Sequence, residues 1–309
     1  MSPRRYATVG LLALGAGLLP VTAPAVAAAT AAVCEVAAPG ALEVRAKPGA
    51  AAAEPAVTSD AKDLLAGAPT ASPSAPGSIV VETWVHVIRT GDGRANGQLT
   101  PADVQAQVAA LNAAFAGTGD GVRTGTSTPF RFRLAGTTDT VNPAWYAMLP
   151  GSRAEREAKS ALRRGGKSTL NLYLTGLGGD LLGYAYFPTT GRGKDVVDGV
   201  VVLNESIPGG AVSDYAEGDT APHEVGHWLG LYHTFQNGCS TANDRVADTP
   251  AEAVPTTGCP VGKDTCTKDT GLDPVENFMD YSYDRCMYTF TPGQSARMDA
   301  VWQRYRAGA

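Results

Sequence analysis

The sequence has no excess of positive charge. Its 309 residues include 25 lysines and arginines against 30 aspartates and glutamates, which gives a formal net charge of −5 at pH 7. No basic stripe with interleaved aromatic residues runs along the chain. A nucleic-acid-binding protein is expected to carry such a footprint. The composition therefore argues against nucleic acid as the main partner.

Long apolar runs are also missing, apart from one near the start of the chain. Arg4 and Arg5 precede the apolar residues 9–21, a run too short to span a bilayer. Ala-Val-Ala at 25–27 then fits a signal-peptidase site. We therefore expect a signal peptide at 1–27, a secreted and extracellular product, and no membrane association after signal removal.

Residues 28–77 lack the hydrophobic periodicity of a folded core. The stretch is rich in alanine and proline, and such a segment cannot bury enough apolar surface to form a core. It is expected to be either a linker or a propeptide. Residues 78–309 would follow as the folded region, with a length that suits one domain or two closely joined subdomains.

Cysteine is sparse, and its number is odd. An exported chain with five cysteines leaves one unpaired. Four lie in a loop-rich region, where disulfide bonds would stabilise a small subdomain: Cys239, Cys259, Cys266 and Cys286. Four cysteines allow three pairings, and the spacing alone does not choose among them. The rival interpretation is a structural zinc on these thiols. The absence of close C-x₂₋₄-C pairs and the oxidising compartment argue against it.

Histidine is scarce as well, and three of the four fall within residues 223–233. Because residues four apart lie on one face of a helix, His223 and His227 can face one metal ion. Gly230 permits the helix to end and the chain to turn, which brings in His233. Three protein ligands leave the fourth zinc position to water, as in catalytic sites. The fourth histidine, His86, lies in a predicted strand and is interpreted as a packed core residue.

Glu224 follows the first of these histidines. At this position a carboxylate is placed to act on a metal-bound water without ligating the metal. The alternative is a chance H-E-x-x-H on an ordinary amphipathic helix. Gly230 and His233, both at fixed offsets, make chance a poor explanation.

The stretch resembles the metzincin metallopeptidases, whose pattern is H-E-x-x-H-x-x-G-x-x-H followed later by a methionine turn. Asn-Phe-Met-Asp-Tyr at 277–281 supplies the later part. The flanking sequence is similar to the pappalysin/cytophagalysin family of metzincins. The segments that carry this similarity are His-Trp-Leu-Gly-Leu-Tyr-His-Thr-Phe (227–235), Ala-Asp-Thr-Pro (247–250), Asn-Phe-Met-Asp-Tyr-Ser (277–282) and Cys-Met-Tyr-Thr-Phe-Thr-Pro-Gly-Gln (286–294).

The resemblance implies an α+β fold of the metzincin type, with a five-stranded mixed sheet and two long helices above a cleft. An N-terminal subdomain would run to about residue 233, and a loop-rich, disulfide-bonded C-terminal subdomain would occupy 234–309. Local patterns predict strands at 79–89, 130–134, 170–174, 183–187 and 198–203, and helices from Thr100, at 152–164 and from Thr291. By the resemblance, the 183–187 strand forms the sheet edge above the cleft, where a peptide could pair with it.

The resemblance also implies roles for residues of the C-terminal subdomain. Met279 would form an apolar floor beneath the histidines. Tyr281 would hydrogen-bond a tetrahedral intermediate, although a packed aromatic with no catalytic role is the alternative. Among the three possible pairings, the resemblance favours Cys239–Cys266 and Cys259–Cys286.

Two further candidate sites also follow from the resemblance. Relatives carry calcium in the loop that matches 244–249, so Asp244 and the carbonyls of Val246 and Thr249 are candidate calcium ligands. An ordinary polar turn explains these residues equally well. Secreted metallopeptidases are usually made latent, which favours a propeptide at 28–77. Cys34 is then a candidate latency switch, since a thiolate can fill the open zinc position. The alternative is an incidental cysteine.

These features predict a monomeric, secreted zinc endopeptidase that acts on protein or peptide substrates. A catalytically silent binding protein on the same fold is the alternative, but it would be expected to have lost Glu224 or a metal ligand. Arg-specific members of the family have an acidic residue just before the cysteine after the Met-turn. Here that residue is Arg285, preceded by Asp284. If the loop register holds, Arg285 argues against a basic P1′ preference, and an acidic or apolar P1′ preference becomes the hypothesis.

Overall fold

The computed structural model describes residues 42–46, 65, 72–119, 121–178, 180–188 and 195–308. The expected signal peptide and Cys34 lie outside these residues. No helix within the described ranges combines the length and apolar character needed to cross a membrane.

The elements, in chain order, are β1 (Leu42–Ala46), β2 (Ile79–Arg89), α1 (Pro101–Ala116), β3 (Phe130–Val141), α2 (Pro143–Tyr146), α3 (Arg153–Leu162), β4 (Leu170–Thr175), β5 (Leu181–Tyr186), β6 (Val200–Leu203), α4 (Thr220–Trp228) and α5 (Pro292–Tyr305).

The strands form one mixed sheet in the order β1-β5-β6-β4-β2-β3. Strands β2, β3, β4 and β6 are parallel, and β5 runs antiparallel to β6. These five strands, with the helices, form the α+β fold expected from the sequence. Strand β3 is longer than predicted and continues to Val141, because its second half alternates between half-buried and exposed residues at the sheet edge.

A sixth strand, β1, lies within the alanine- and proline-rich stretch where no element is predicted. It pairs antiparallel with β5 from Leu42 opposite Tyr186 to Ala46 opposite Leu181. The stretch carries little hydrophobic periodicity, so local sequence gave no signal for a strand. Long-range pairing with an existing sheet edge supplies its hydrogen bonds instead.

Successive side chains of a strand point to opposite faces of the sheet, so each strand can contribute to an apolar cluster on either face. Val200 and Val202 face one apolar cluster, which also holds residues of α1, α4 and α5. Val201 and Leu203 face a second cluster, to which α3 contributes Ala158 and Leu162. Helix α1 begins at a capping box formed by Thr100 and Asp103. The sheet is therefore covered on both faces.

Helix α4 is buried along its whole length. It packs against β5, β6, α1 and β1, which is why it carries no polar outer face. The turn after it depends on Gly230, whose φ is +94°. A Cβ there would lie 2.8 Å from Val301 of α5. Glycine is therefore required both for the backbone angle and for the close approach of α5.

The C-terminal part after α4 consists mainly of loops up to α5. Disulfide bonds join Cys239 to Cys266 and Cys259 to Cys286, the pairing that the resemblance favours. The buried carboxylate of Glu252 accepts hydrogen bonds from Thr234, Thr256 and Lys263. These covalent and polar cross-links take the place of a large apolar core in this region.

The apolar cluster under α1 generates a stability prediction. Phe115 is fully buried, and its ring centroid lies 4.9 Å from those of Phe132 and Phe290. Replacing it with alanine removes these contacts and leaves a cavity, so Phe115→Ala should destabilise the protein by about 3–5 kcal/mol in urea unfolding. Val261→Ala is the control. Because Val261 is fully exposed, it should change the free energy of unfolding by less than about 0.5 kcal/mol. Equal effects of the two variants would contradict the assigned core.

Candidate metal centre

Three histidines from α4 and the segment after it converge on one point. The Nε2 atom of His227 lies 3.1 Å from the Nε2 atoms of His223 and His233, and those two are 3.3 Å apart. All three side chains are fully buried. They are one of the sets of side chains in the described residues that could hold a metal ion.

The triangle of nitrogens has the dimensions of a tetrahedral metal site. Zinc–nitrogen bonds of about 2.0–2.1 Å at tetrahedral angles place two ligand nitrogens roughly 3.3 Å apart. Three imidazoles with that spacing, and no thiolate or fourth histidine among them, fit zinc with one position left for a small ligand. The residues present therefore suit the metal.

Backbone carbonyls orient two of these rings. The Nδ1 atom of His223 lies 2.6 Å from the carbonyl of Phe278, and that of His227 lies 2.8 Å from the carbonyl of Leu231. A proton on each Nδ1 leaves Nε2 unprotonated and directed at the shared centre. Burial lowers the pKa of both imidazoles well below the usual value, and the neutral form is the one that binds metal.

Glu224 lies between the histidines and strand β5. The place where a Cβ would sit on Gly183 is only 2.9 Å from Glu224 Oε1. A carboxylate can occupy this position only because β5 has a glycine there. Gly183 thus joins the site, although no feature of the local sequence distinguishes it from an ordinary strand glycine.

Met279 of the predicted Met-turn packs against α4. A Cβ on Gly226 of α4 would overlap the Met279 sulfur, so a second glycine allows the thioether to approach the helix. The ring of Tyr281 lies 5.7 Å from that of His223 and 5.1 Å from that of His233, measured between centroids. Tyr281 is therefore beside the histidines, and Met279 packs against the helix that carries His223 and His227.

His86 does not belong to this centre. Its Nδ1 atom lies 2.8 Å from the Thr138 hydroxyl and its Nε2 atom 3.0 Å from Asn171 Oδ1. Burial lowers its pKa to about 4. These contacts make His86 a neutral core residue, as its sequence context predicts.

The candidate calcium loop contains buried oxygens without ordinary hydrogen bonds. Asp244 Oδ1 accepts from the Val246 N–H at 2.9 Å. Asp244 Oδ2, Thr249 Oγ1 and Asn243 Oδ1 are buried and have no hydrogen-bond partner within 3.5 Å among the described residues, although the Thr249 and Gln294 side chains are close enough to lower the pKa of Asp244. Burial raises the pKa of Asp244 to about 7. A group of oxygens in this state is what a bound cation would stabilise.

A fold of this kind with a histidine triad, an adjacent glutamate and a methionine turn defines the metzincin class of metallopeptidases. Comparisons with known proteins agree. The peptidase family described as Pregnancy-associated plasma protein-A matches residues 171–303. An extracellular metalloprotease of Sordaria macrospora is 45% identical over 239 residues, which cover 76% of this chain and 79% of the relative.

Solved structures show the same similarity. Mature mirolysin of Tannerella forsythia in complex with a cleaved peptide is 32% identical, with a TM-score of 0.60 over 73% of this chain and 91% of that one. A promirolysin mutant from the same organism is 29% identical, with a TM-score of 0.61 over 79% of this chain and 84% of that one.

The chain belongs to the pappalysin family of metallopeptidases. It is a zinc metalloendopeptidase, and it is extracellular. The sequence-based expectation for family and fold is therefore confirmed.

The contact between Gly183 and Glu224 generates a prediction about activity. In Gly183→Ala the new Cβ displaces the carboxylate by forcing an unfavourable rotamer, a cost on the order of 1 kcal/mol. We expect kcat/KM for a peptide substrate to fall roughly tenfold, while bound metal, measured by atomic absorption, stays at the wild-type level. Gly91→Ala is the matched control, since a Cβ there makes only ordinary contacts at 3.7 Å. Wild-type activity in Gly183→Ala would contradict the close packing.

Proposed function

We propose that His223, His227 and His233 hold the catalytic zinc and that Glu224 is the general base of peptide-bond hydrolysis. The observation that carries this proposal is the convergence of three Nε2 atoms within 3.1–3.3 Å beside a buried carboxylate. Zinc, when bound, lowers the pKa of a water towards about 7 and polarises the scissile carbonyl.

Proton transfer, ligand orientation and oxyanion stabilisation are carried out by groups of the chain itself. Glu224 accepts the proton of the attacking water and delivers it to the departing amine. Carbonyls of Phe278 and Leu231 hold the imidazoles of His223 and His227 in one orientation throughout. The Tyr281 hydroxyl donates a hydrogen bond to the oxyanion that develops on the substrate.

Proteins or peptides are the substrates. Strand β5 lies directly above Glu224 through Gly183, and its outer edge accepts a further antiparallel strand. An extended peptide is recognised in this way through its backbone. The similar mirolysin structure contains a cleaved peptide, which supports a peptide in the corresponding groove.

We further propose that the chain is made as a zymogen. Residues 1–27 would be removed as a signal peptide and residues 28–77 as a propeptide, leaving 78–309 as the catalytic domain. The similar promirolysin structure and the contact of β1 with β5 support a propeptide rather than a linker. Cys34 keeps its predicted role as a candidate latency switch.

Calcium is the second cofactor that we propose. Asp244, with Val246 and Thr249, would bind it in the 243–249 loop. The buried oxygens of this loop without ordinary hydrogen bonds support the assignment. A bound divalent cation would supply the positive charge that the buried Asp244 carboxylate needs.

Removal of the proposed base tests the mechanism. Glu224→Ala should reduce casein hydrolysis by about 10²–10⁴-fold and leave the zinc content unchanged, because no metal ligand is lost. Glu157→Ala, an exposed carboxylate on α3, should retain wild-type activity. Substantial casein hydrolysis by Glu224→Ala would overturn the assignment. A wild type that binds zinc and cleaves no substrate even after loss of residues 1–77 would favour the binding-protein alternative.

Thermal unfolding with and without calcium tests the second site. At calcium about 100 times its Kd, the wild type should gain about 2.7 kcal/mol, and Asp244→Ala should gain nothing. Asp92→Ala, whose carboxylate is exposed, should respond like the wild type.

The stabilisation of the fold by calcium should also increase with pH. The folded pKa of Asp244 is raised to about 7 from 3.8. Without calcium, this residue therefore favours folding at low pH, and that contribution is lost as the pH rises through about 7. Because calcium binds the carboxylate, its stabilising effect should be larger at pH 8 than at pH 5. A calcium effect independent of pH would contradict the role of Asp244.

A further inference from the structure

The turn after α4 begins where the helix can no longer satisfy its own carbonyl groups. A helix leaves its last carbonyls without partners inside the helix. In α4 this end is buried, so the protein itself must supply the donors. The N–H groups of Leu229 and Gly230 donate to the carbonyls of Val225 and His227, at 2.9 and 2.8 Å. The backbone therefore closes the helix as far as the second histidine.

Arginine side chains supply donors for two carbonyls further along. Arg297 of α5 donates from Nε to the Gly230 carbonyl at 2.8 Å. Arg306, the residue directly after α5, donates to the Trp228 carbonyl from Nε and Nη2, at 3.1 and 2.9 Å. Both carbonyls lie between the second and the third histidine of the triad. Two guanidinium groups therefore hold the turn that joins these two candidate ligands.

The position of Arg306 is itself fixed by its surroundings. The side chain is 2% exposed, and its guanidinium carbon lies 3.5 Å from the centroid of the Trp228 ring. Asp198 accepts from Nη2 and Nη1 at 3.1 and 3.2 Å, and its Oδ1 also accepts from Trp228 Nε1 at 3.0 Å. A paired guanidinium–carboxylate contact of this kind is strong and directional. The donors to the Trp228 carbonyl are therefore preorganised.

Arg297 contacts the same turn at a second point. Its guanidinium carbon lies 4.9 Å from the centroid of the Tyr232 ring, and Tyr232 directly precedes His233. Val301 is one helical turn further along α5, so the two side chains share a face. Val301 is also the residue that approaches Gly230 most closely. One face of α5 thus holds the turn through a hydrogen bond, a ring contact and an apolar contact.

The position of this turn bears directly on the metal centre. The Leu231 carbonyl lies 2.8 Å from Nδ1 of His227 and orients that ring, and Leu231 directly follows the residue that Arg297 holds. A shift of the turn therefore moves the orienting carbonyl and the backbone of His233 together. Partners that orient metal ligands typically contribute about 10–100-fold to metal affinity. The contacts from α5 act one step further out, through the backbone.

We propose that Arg297 and Arg306 are positioning residues of the metal centre. By holding the carbonyls of Gly230 and Trp228, they fix the turn that sets the third histidine beside the second. The inference rests on the proposed function, because it takes the three histidines as the zinc ligands. Zinc binding and the contact of α5 with the turn are then coupled, and by linkage each must stabilise the other equally.

Zinc affinity in matched variants tests the donor on Arg297. All variants are made in the full chain carrying Glu224→Ala, which on the proposed function cannot process itself, and the zinc Kd is measured by competition with a chelator of known affinity. Arg297→Gln places an amide nitrogen where arginine has Nε, whereas Arg297→Met places a methyl group there. We expect Arg297→Met to raise the zinc Kd about tenfold or more and Arg297→Gln to stay within roughly threefold of the parent.

Arg304→Met is the control, because it replaces an exposed arginine of the same helix, and it should keep the parent zinc Kd. A role in packing alone would lower the urea midpoint of the metal-free variants and leave the zinc Kd of the folded protein unchanged. That result, or equal zinc Kd values for Arg297→Met and Arg297→Gln, would overturn the inference. A parent chain that binds no zinc would instead refute the proposed metal site, and this inference with it.

Hydrogen exchange of the parent chain decides the coupling even if Arg297→Met does not fold. Zinc should slow exchange of the α5 amides at least about fivefold more than exchange of the α3 amides, because α3 packs in the second apolar cluster, on the other face of the sheet. An equal effect of zinc on the two helices would overturn the coupling.

Discussion

The site depends on bringing three imidazole nitrogens within 3.3 Å of one another inside the protein. Two of them come from one helical face. The third requires the chain to stop, reverse and return within six residues, which Gly230 permits through its left-handed backbone angle. Burial lowers the pKa of His223 and His227 and so favours their neutral form, and the carbonyls of Phe278 and Leu231 fix the orientation of these two rings. Much of the C-terminal part can be understood as support for this arrangement.

A second constraint is the close packing of neighbouring segments against α4. The helix is buried along its whole length, so its neighbours must pack closely against it. Glycines make this possible at the contacts that matter: Gly183 admits Glu224, Gly226 admits the Met279 sulfur, and Gly230 admits Val301. Catalytic and structural demands therefore fall on the same few positions, because protein interiors at native packing density leave no room for an added methyl group.

Buried charge also shapes the loop that leads into α4. Asp284 uses one oxygen to hold the loop that leads into α4 and directs the other at Arg45. The same carboxylate therefore connects the loop before the helix of His223 and His227 with the Arg45 side chain of β1. The short segment Leu42–Ala46 supplies a strand to β5 and a cation to Asp284, so it pairs with the sheet edge and offsets the buried acid.

The sequence alone predicted the histidine triad and Glu224, because their spacing follows from helix and turn geometry, and its resemblance to the metzincins predicted the Met-turn. It also predicted the five strands of the main sheet and the helices α1, α3 and α5 from local periodicity and capping. Only the tertiary structure decided that Gly183 shapes the site, that β1 joins the sheet, and that Asp284 lies beside Arg45. Each of these depends on contacts between residues far apart in the chain, Arg45 and Asp284 above all, and no local pattern of residues encodes such a contact.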